Sequence, residues 1–497
     1  MSESTAVSVR DPSIGQTLIP VAMLIGMLAL SVALFGDESS MGPNQIALIL
    51  STGVAVIIGL LNGHRWKDLE EGISRGISIS MGAILILLVV GSVIGTWILA
   101  GVVPTMIYYG LSILTPSIFY AAACLICAVV ALATGSSWTT AGTIGIALIG
   151  VATTQDLHLG MAAGAIISGA YFGDKMSPLS DTTNLAPAVA GTDLFAHIRH
   201  MLWTTTPSLV VALILFTLAG LVIPTPTGTE QLDTVLEALE THFTIGPHLL
   251  IPVVVVFALV IRKMPAFPAL LIGALVGGLF AVIFQRPTVL AYVGEGDLPE
   301  SVALVKGVWM ALYAGFELDS GNAALDNLLS RGGMSSMLMT VWLIMSAMMF
   351  GAVMETTGML QAIAARILTA VRGTGSLIAA TLATSIGMNV LASDQYIAIV
   401  LPGRMFRDEY ERRQLDPKNL SRTLEDAGTL TSVLVPWNTC GAFMAQTLGV
   451  ATLTYAPFAF FNLINPFVAA IYGFANIGVA PLSEHTAENR RSKAGVA

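Results

Sequence analysis

From residue 17 to residue 477, long apolar runs alternate with short polar stretches. A helix of about 20 apolar residues spans the roughly 30 Å hydrocarbon core of a bilayer, and most of these runs approach that length. The pattern predicts an all-α polytopic membrane protein of about 14 spans. They lie near 17–35, 44–62, 77–100, 117–134, 136–152, 160–190, 202–223, 247–262, 266–284, 334–358, 374–391, 393–404, 424–449 and 455–477. Two of them, 160–190 and 424–449, are interrupted by polar residues and read as discontinuous helices near the midplane. Either pair of short neighbouring runs also suits a re-entrant hairpin. Segment 300–332 reads as an amphipathic external stretch. Residues 1–16 are polar, and the first apolar run is long enough to anchor, so no cleavable signal peptide is expected.

The polar interruptions resemble one another. Offsetting the chain by 257 residues places Ser136 on Ser393, Asp181 on Asn438 and Thr182 on Thr439. Ser74-Arg75-Gly76 is echoed by Ser330-Arg331-Gly332, and Ile19-Pro20-Val21 by Ile251-Pro252-Val253. Two repeats of seven spans follow: 17–223 and 247–477, joined by an external loop at 224–246 and flanked by cytoplasmic tails at 1–16 and 478–497. Copies with an odd number of spans point in opposite directions, which is the inverted-repeat plan of many secondary transporters.

Charge distribution orients the chain. Lys and Arg favour cytoplasmic loops, and with both termini inside 18 of the 22 basic residues fall on that side, including Arg10, Arg65, Lys67 and the cluster from Arg404 to Arg422. Arg286, Lys306 and Arg331 fall outside, and Lys175 is placed within a span. Composition agrees, with 55% hydrophobic and 11% charged residues, against about 25% charged in soluble domains. Nothing resembles a phosphate-binding loop, a catalytic triad, a metal quartet or a nucleic-acid surface, so an enzyme is not expected and no cofactor is implied. Cys124 and Cys127 have redox-like spacing but no companion ligands, and read as core residues.

The chemistry concentrates at the interruptions. In Gly169-Ala-Tyr-Phe-Gly-Asp-Lys-Met-Ser-Pro-Leu-Ser-Asp-Thr-Thr-Asn184, Gly173 and Pro178 explain a helix break. Unwound backbone at membrane depth is tolerated where it lines protein or a water-filled cavity. Its carbonyls and hydroxyls are hard oxygen donors suited to Na⁺. Asp174 and Asp181 would compensate a dehydrated cation, with Ser136, Ser177, Ser180, Thr182 and Asn184 as supporting ligands. Proton and Na⁺ then compete for the same oxygens. Asp174 has a second reading, a pair with the adjacent Lys175; Asp181 also reads as a helix cap. In the second half, Asp394 is an intramembrane acid, with Ser393, Asn438 and Thr439 as oxygen donors and Asn389 as an interhelical hydrogen bonder or gate. Glu355 and Lys175 are candidates for a gate or relay. His64, His197 and His200 cluster near the inner face, either as a pH sensor or as hydrated loop residues.

Phe172-Gly-Asp-Lys-Met-Ser-Pro-Leu-Ser-Asp-Thr-Thr-Asn184, Met354-Glu-Thr-Thr-Gly-Met-Leu360, Ser393-Asp-Gln-Tyr396, Leu401-Pro-Gly-Arg-Met-Phe406 and Pro436-Trp-Asn-Thr-Cys-Gly441 follow one another along the chain. Together they resemble the signature of the NhaC family of Na⁺/H⁺ antiporters. The resemblance implies a multi-pass carrier of the bacterial inner membrane exchanging Na⁺ for H⁺, with Asp174, Asp181 and Asp394 as ion-coupling residues. It also implies an alternative, since the family includes exchangers of malate and lactate: a Na⁺- or H⁺-coupled carrier of a small organic anion or amino acid. Triplets Ser180-Asp181-Thr182 and Trp437-Asn438-Thr439 look like the Ser-Asn-Thr breaks of the related ion-transporter superfamily, with Asp and Trp as departures. Expected partners are the lipid bilayer, Na⁺ and H⁺, with a homodimer left open.

Overall fold

The structure, a computed structural model, describes residues 9–482 except 37–38, 40, 223–228, 295–297, 321–325 and 327–328. The described residues form helices, with isolated bridges at Phe316–Arg331 and Leu415–Pro481 instead of strands. Seven helices are long and apolar enough to cross a membrane: Ile14–Phe35, Pro43–Leu61, Met81–Leu99, Leu194–Val222, Ala266–Phe284, Met334–Thr356 and Thr374–Leu391. Two sharply bent pairs, Thr234–His242 with Pro247–Ile261 and Thr452–Phe458 with Phe460–Ala475, raise that to nine if each is one span. The shortfall against 14 expected spans arises because several apolar runs form short helices, such as Val102–Ile113, Phe119–Thr134 and Met359–Leu368.

Burial sorts the crossings. Only 22% of the Ile14–Phe35 window is buried, against 72% for Met81–Leu99. The first therefore presents its apolar surface outward, where lipid replaces a protein neighbour, and the second forms the centre. Close backbone approach sets that centre: a Cβ on Gly95 would lie 2.2 Å from the Ala311 carbonyl oxygen. The Trp97 indole donates to Gly273 O at 3.0 Å, fixing Met81–Leu99 against Ala266–Phe284.

Two helical hairpins enter the body. The first has arms Phe119–Thr134 and Ser137–Thr154, the second arm containing a π turn at Ala141–Gly145. Its open ends meet: Gln155 Nε2 donates to Leu114 O at 2.6 Å and His158 N to Tyr120 Oη at 3.1 Å. The second pairs Thr374–Leu391 with Gln395–Arg412, joined near the open end by Thr381 and Tyr410 hydroxyls 3.3 Å apart. The latter arm runs eight residues past the expected span end at 404, so part of the expected basic loop is helix.

Beside each hairpin runs a broken helix. Leu159–Met176 resumes as Asp181–Ala190; Pro417–Leu424 passes through a π turn, Glu425–Thr429, and Leu430–Ser432, then resumes as Thr439–Leu448. Gly169 and Gly173 let Leu159–Met176 lie against Phe119–Thr134 at backbone distance, since Cβ atoms there would meet the Cys124 and Ala128 carbonyl oxygens at 2.0 and 2.3 Å. Cys124 and Cys127 are buried free thiols in this contact.

Other expectations shift. Segment 224–246 contains a helix, Thr229–His242, and is not a simple loop. His197 and His200 are buried, bonded to Ser421 and Asn419, because their helix starts at Leu194 and packs on Pro417–Leu424; the hydrated-loop reading fails for them. Trp66, Trp203 and Trp342 are 55, 53 and 38% exposed. The tail is packed through residue 482, with Asn419 bonded to Ala480; residues 483–497, including Arg490, Arg491 and Lys493, lie outside the described residues.

Candidate functional site

Each hairpin tip touches the break beside it. At the first, Gly135 takes a left-handed φ of 69° to end one arm, and Ser136 caps the next through its Oγ, accepting from Thr139 N at 3.1 Å. This turns Ser137 toward the break, where its N–H and Oγ–H both donate to Asp174 Oδ2, at 3.0 and 2.6 Å. Charge-assisted bonds of this length hold an ionised carboxylate firmly. Asp174 is half-buried in the last turn of Leu159–Met176.

Side chains also satisfy the orphan carbonyls and amides of the broken backbone. Ser177 Oγ accepts from Leu179 N at 3.3 Å. Ser180 is the cap of Asp181–Ala190, accepting from Thr183 N at 3.4 Å, with Thr182 Oγ1 3.2 Å away. Capping therefore falls to Ser180 and not to Asp181, whose carboxylate is free of that duty and exposed. Thr183, absent from the expected ligands, donates its hydroxyl to Lys175 O at 3.0 Å. Asn184 is exposed and spans the break, its Nδ2 donating to Pro178 O and Ser180 O at 2.9 and 2.7 Å.

At the second tip, Ser393 adopts a φ of 59°, unusual for a residue with a Cβ, and Asp394 caps the following arm. Asp394 Oδ1 accepts from Tyr396 N and Ile397 N at 2.8 and 3.1 Å, and the residue is 3% exposed. Thr439 N donates to Ser393 O at 3.0 Å, tying the tip to the break. Asn438 caps the resumed helix through Cys440 N at 3.0 Å and donates to Asn389 O at 3.1 Å. Asn389 in turn donates to Gly428 O and Thr431 Oγ1 at 2.8 and 2.9 Å, which makes it the interhelical bonder. Asn438 and Asn389 thus share one network. The caps pair Ser136 with Asp394 and Ser180 with Asn438, each 258 residues apart, one more than the side-chain echoes imply.

The two tips converge. Trp138 stacks on Phe443 with ring centroids 4.0 Å apart, joining the first tip to the second resumed helix. Tyr396 is within electrostatic range of Asp174, Asp181 and Asp394. Glu355 does not join them. It is exposed at the end of Leu338–Thr356, where the neighbouring Thr356 packs on Gly72 of the amphipathic helix Trp66–Ile79.

Lys175 does not pair with Asp174. Pointing the opposite way, it is fully buried and forms an ion pair with Asp426 Oδ1. That same oxygen accepts from Thr204 Oγ1 at 3.0 Å and Asn465 Nδ2 at 2.7 Å, while Arg422 Nε lies 3.9 Å from Oδ2. Arg422, expected in a cytoplasmic loop, is therefore a second fully buried cation. Glu425 is also fully buried. The sequence hides this group because Lys418-Asn-Leu-Ser-Arg422 reads as part of a charged connector and Glu425 and Asp426 stand at the first turn of the expected span 424–449; the available signal was two adjacent acids opening an apolar segment.

Carboxylates, hydroxyls and carbonyls are hard donors appropriate to alkali cations. Among the described residues no three His, Cys, Asp or Glu side chains stand close enough to hold a metal ion together, so Asp174, Asp181 and Asp394 do not form one three-carboxylate cluster.

Comparison with known proteins places this architecture. Residues 169–477 match the model of the Na⁺/H⁺ antiporter family. The Na⁺/H⁺ antiporter NhaC of Alkalihalophilus pseudofirmus is 39% identical over 97% of this chain and 99% of its own length. The malate-2H⁺/Na⁺-lactate antiporter of Bacillus subtilis is 38% identical over 94% of this chain and 95% of its own. The arginine/ornithine antiporter ArcD of Halobacterium salinarum is 38% identical over 94% and 92%. The chain belongs to the Na⁺/H⁺ antiporter family.

Proposed function

We propose that this protein is a secondary active transporter exchanging Na⁺ for H⁺ across the bacterial inner membrane, with both termini cytoplasmic. The observation that carries the reading is Asp174, a carboxylate at a helix break, gripped from a hairpin tip by Ser137. One face of the break is left for an ion. Na⁺ and H⁺ exclude one another at Asp174, with Asp181 at the exposed approach and Asp394 at the second tip. Hydroxyl and carbonyl oxygens of Ser136, Ser177, Ser180, Thr182, Ser393 and Thr439 complete the coordination. Asn184, Asn389 and Asn438 hold the breaks in shape, and Lys175 anchors the first.

The ion site lies between two inverted repeats, 17–223 and 247–477, which rock against each other. Support comes from the parallel succession of hairpin and broken helix, and from left-handed residues at matching places, Gly101 with Gly358 and Gly191 with Gly449. In this plan the hairpin arms re-enter, so four of the 14 apolar segments need not cross. Charge bias sets the orientation, and transport needs no cofactor.

The test is proteoliposome transport under an imposed pH gradient: Na⁺ or Li⁺ is expected to collapse the gradient without organic solute. The second reading, coupled exchange of a small organic anion or amino acid, draws on the relatives named for malate, lactate and arginine. One observation favours it. Arg331 has no ion-pair partner among the described residues and lines a cavity of about 400 Å³ with Ser330, Ser336 and Gln446, and with Glu317, a pairing of charges suited to a zwitterionic amino acid. A strict requirement for such a solute would establish that reading instead.

A further inference from the structure

We propose that Glu425 is a ligand of the transported cation, closing the Asp174 site from the second broken helix; this rests on the cation-exchange reading above. Glu425 opens the π turn Glu425–Thr429 and is fully buried, yet neither carboxylate oxygen accepts a hydrogen bond among the described residues. One turn on, the Thr429 hydroxyl is buried and unpartnered as well. The Thr429 and Thr182 hydroxyls stand beside the Glu425 carboxylate without meeting hydrogen-bond geometry, and Lys175 and Asp174 are within electrostatic range, so Glu425 faces the first break from across the interface. π turns displace side chains from the regular helical register and are frequent at functional sites.

A buried carboxylate without donors is costly unless a positive partner or a proton accompanies it. Lys175 is not that partner in this structure, because its ammonium is engaged by Asp426, the oxygen shared with Thr204 and Asn465. Arg422 also turns to Asp426 and donates to Gly478 O at 2.8 Å. Charge counting then gives the occupant. Asp174, Glu425 and Asp426 outnumber Lys175 and Arg422, and Asp181 at the approach adds to the excess, so the cluster carries a net negative charge that a bound cation offsets. Glu425 and Thr429 lie on the second broken helix and Asp174 and Thr182 on the first, so Na⁺ held between them would bridge the two halves, and H⁺ would replace it on the return half of the cycle.

Three full-length proteins in proteoliposomes and detergent test this: wild type, Glu425→Gln and Thr429→Ala. Two readouts are taken: the Na⁺ concentration for half-maximal collapse of an imposed pH gradient, and the rise in melting temperature with NaCl over choline chloride. Glu425→Gln is expected to raise half-maximal Na⁺ by about tenfold or more and to weaken the Na⁺-dependent stabilisation in step. Thr429→Ala is expected to raise it less, about threefold, as for a neutral ligand. A merely structural role would lower the melting temperature in choline while leaving half-maximal Na⁺ unchanged, and that result overturns the proposal. Should Glu425→Gln not be recovered folded, an unchanged half-maximal Na⁺ in Thr429→Ala overturns it. A wild type that ignores Na⁺ overturns the cation-exchange reading, and this inference with it; normal wild-type exchange with unaltered variants overturns this inference alone.

Discussion

In the proposed exchange Asp174 serves through unequal surroundings. One oxygen is fixed by the Ser137 amide and hydroxyl, and the break beside it exposes further oxygens. Removing the charge of a half-buried carboxylate that opposes a cation weakens the attraction by about 2–3 kcal/mol, so Asp174→Asn is expected to slow Na⁺-driven collapse of a pH gradient by roughly a hundredfold. The protein should remain monodisperse in detergent; exchange at the wild-type rate would remove Asp174 from the mechanism. Ser137→Ala removes one bond to a charged acceptor, worth about 1.5–3 kcal/mol. Half-maximal Na⁺ should change by about tenfold or more in that variant, while the helix cap, made by Ser136, survives. Asp174 was legible in sequence because Gly173 and Pro178 frame an acid inside an apolar run. Glu425 was not, since the polar residues before it disguise a fully buried segment.

At the scale of elements, the two hairpin tips solve one turn with different residues. Gly135 reaches its left-handed conformation freely, and an added Cβ would come within 2.6 Å of Leu179 Cβ and 2.8 Å of its carbonyl carbon. Gly135→Ala should therefore push the tip away from the break, lowering both melting temperature and transport. Ser393 holds a similar φ with a Cβ present, at roughly 1–2 kcal/mol of strain. Ser393→Gly is expected to raise or preserve the melting temperature while raising half-maximal Na⁺ through the lost hydroxyl ligand; a fall of several degrees would show that the buried hydroxyl matters more to the fold than the backbone strain. These tips also explain why side-chain echoes gave a register one residue short. The backbone equates Ser393 with Gly135 and Asp394 with Ser136, and residue identity at a turn follows φ and capping more than chemistry of the side chain.

Across the whole molecule, Asp426 joins Leu159–Met176, Leu194–Val222 and Phe460–Ala475 to its own helix through one oxygen. Asp426→Asn would leave Lys175 and Arg422 buried without a full counter-charge, a loss of about 3–5 kcal/mol. Melting curves should show marked destabilisation, partly restored by adding Lys175→Met; equal melting temperatures for wild type and Asp426→Asn would contradict this account. The amino-acid sequence by itself determined that this chain is helical and membrane-embedded, which apolar runs break, and that acids lie at the breaks, because hydropathy, glycine, proline and charge act locally along the chain. Only the tertiary structure decided which acids meet. Lys175 turned from its neighbour Asp174 to Asp426, 251 residues away, because burying two cations in a dry interior demands counter-charge from wherever the packing brings it.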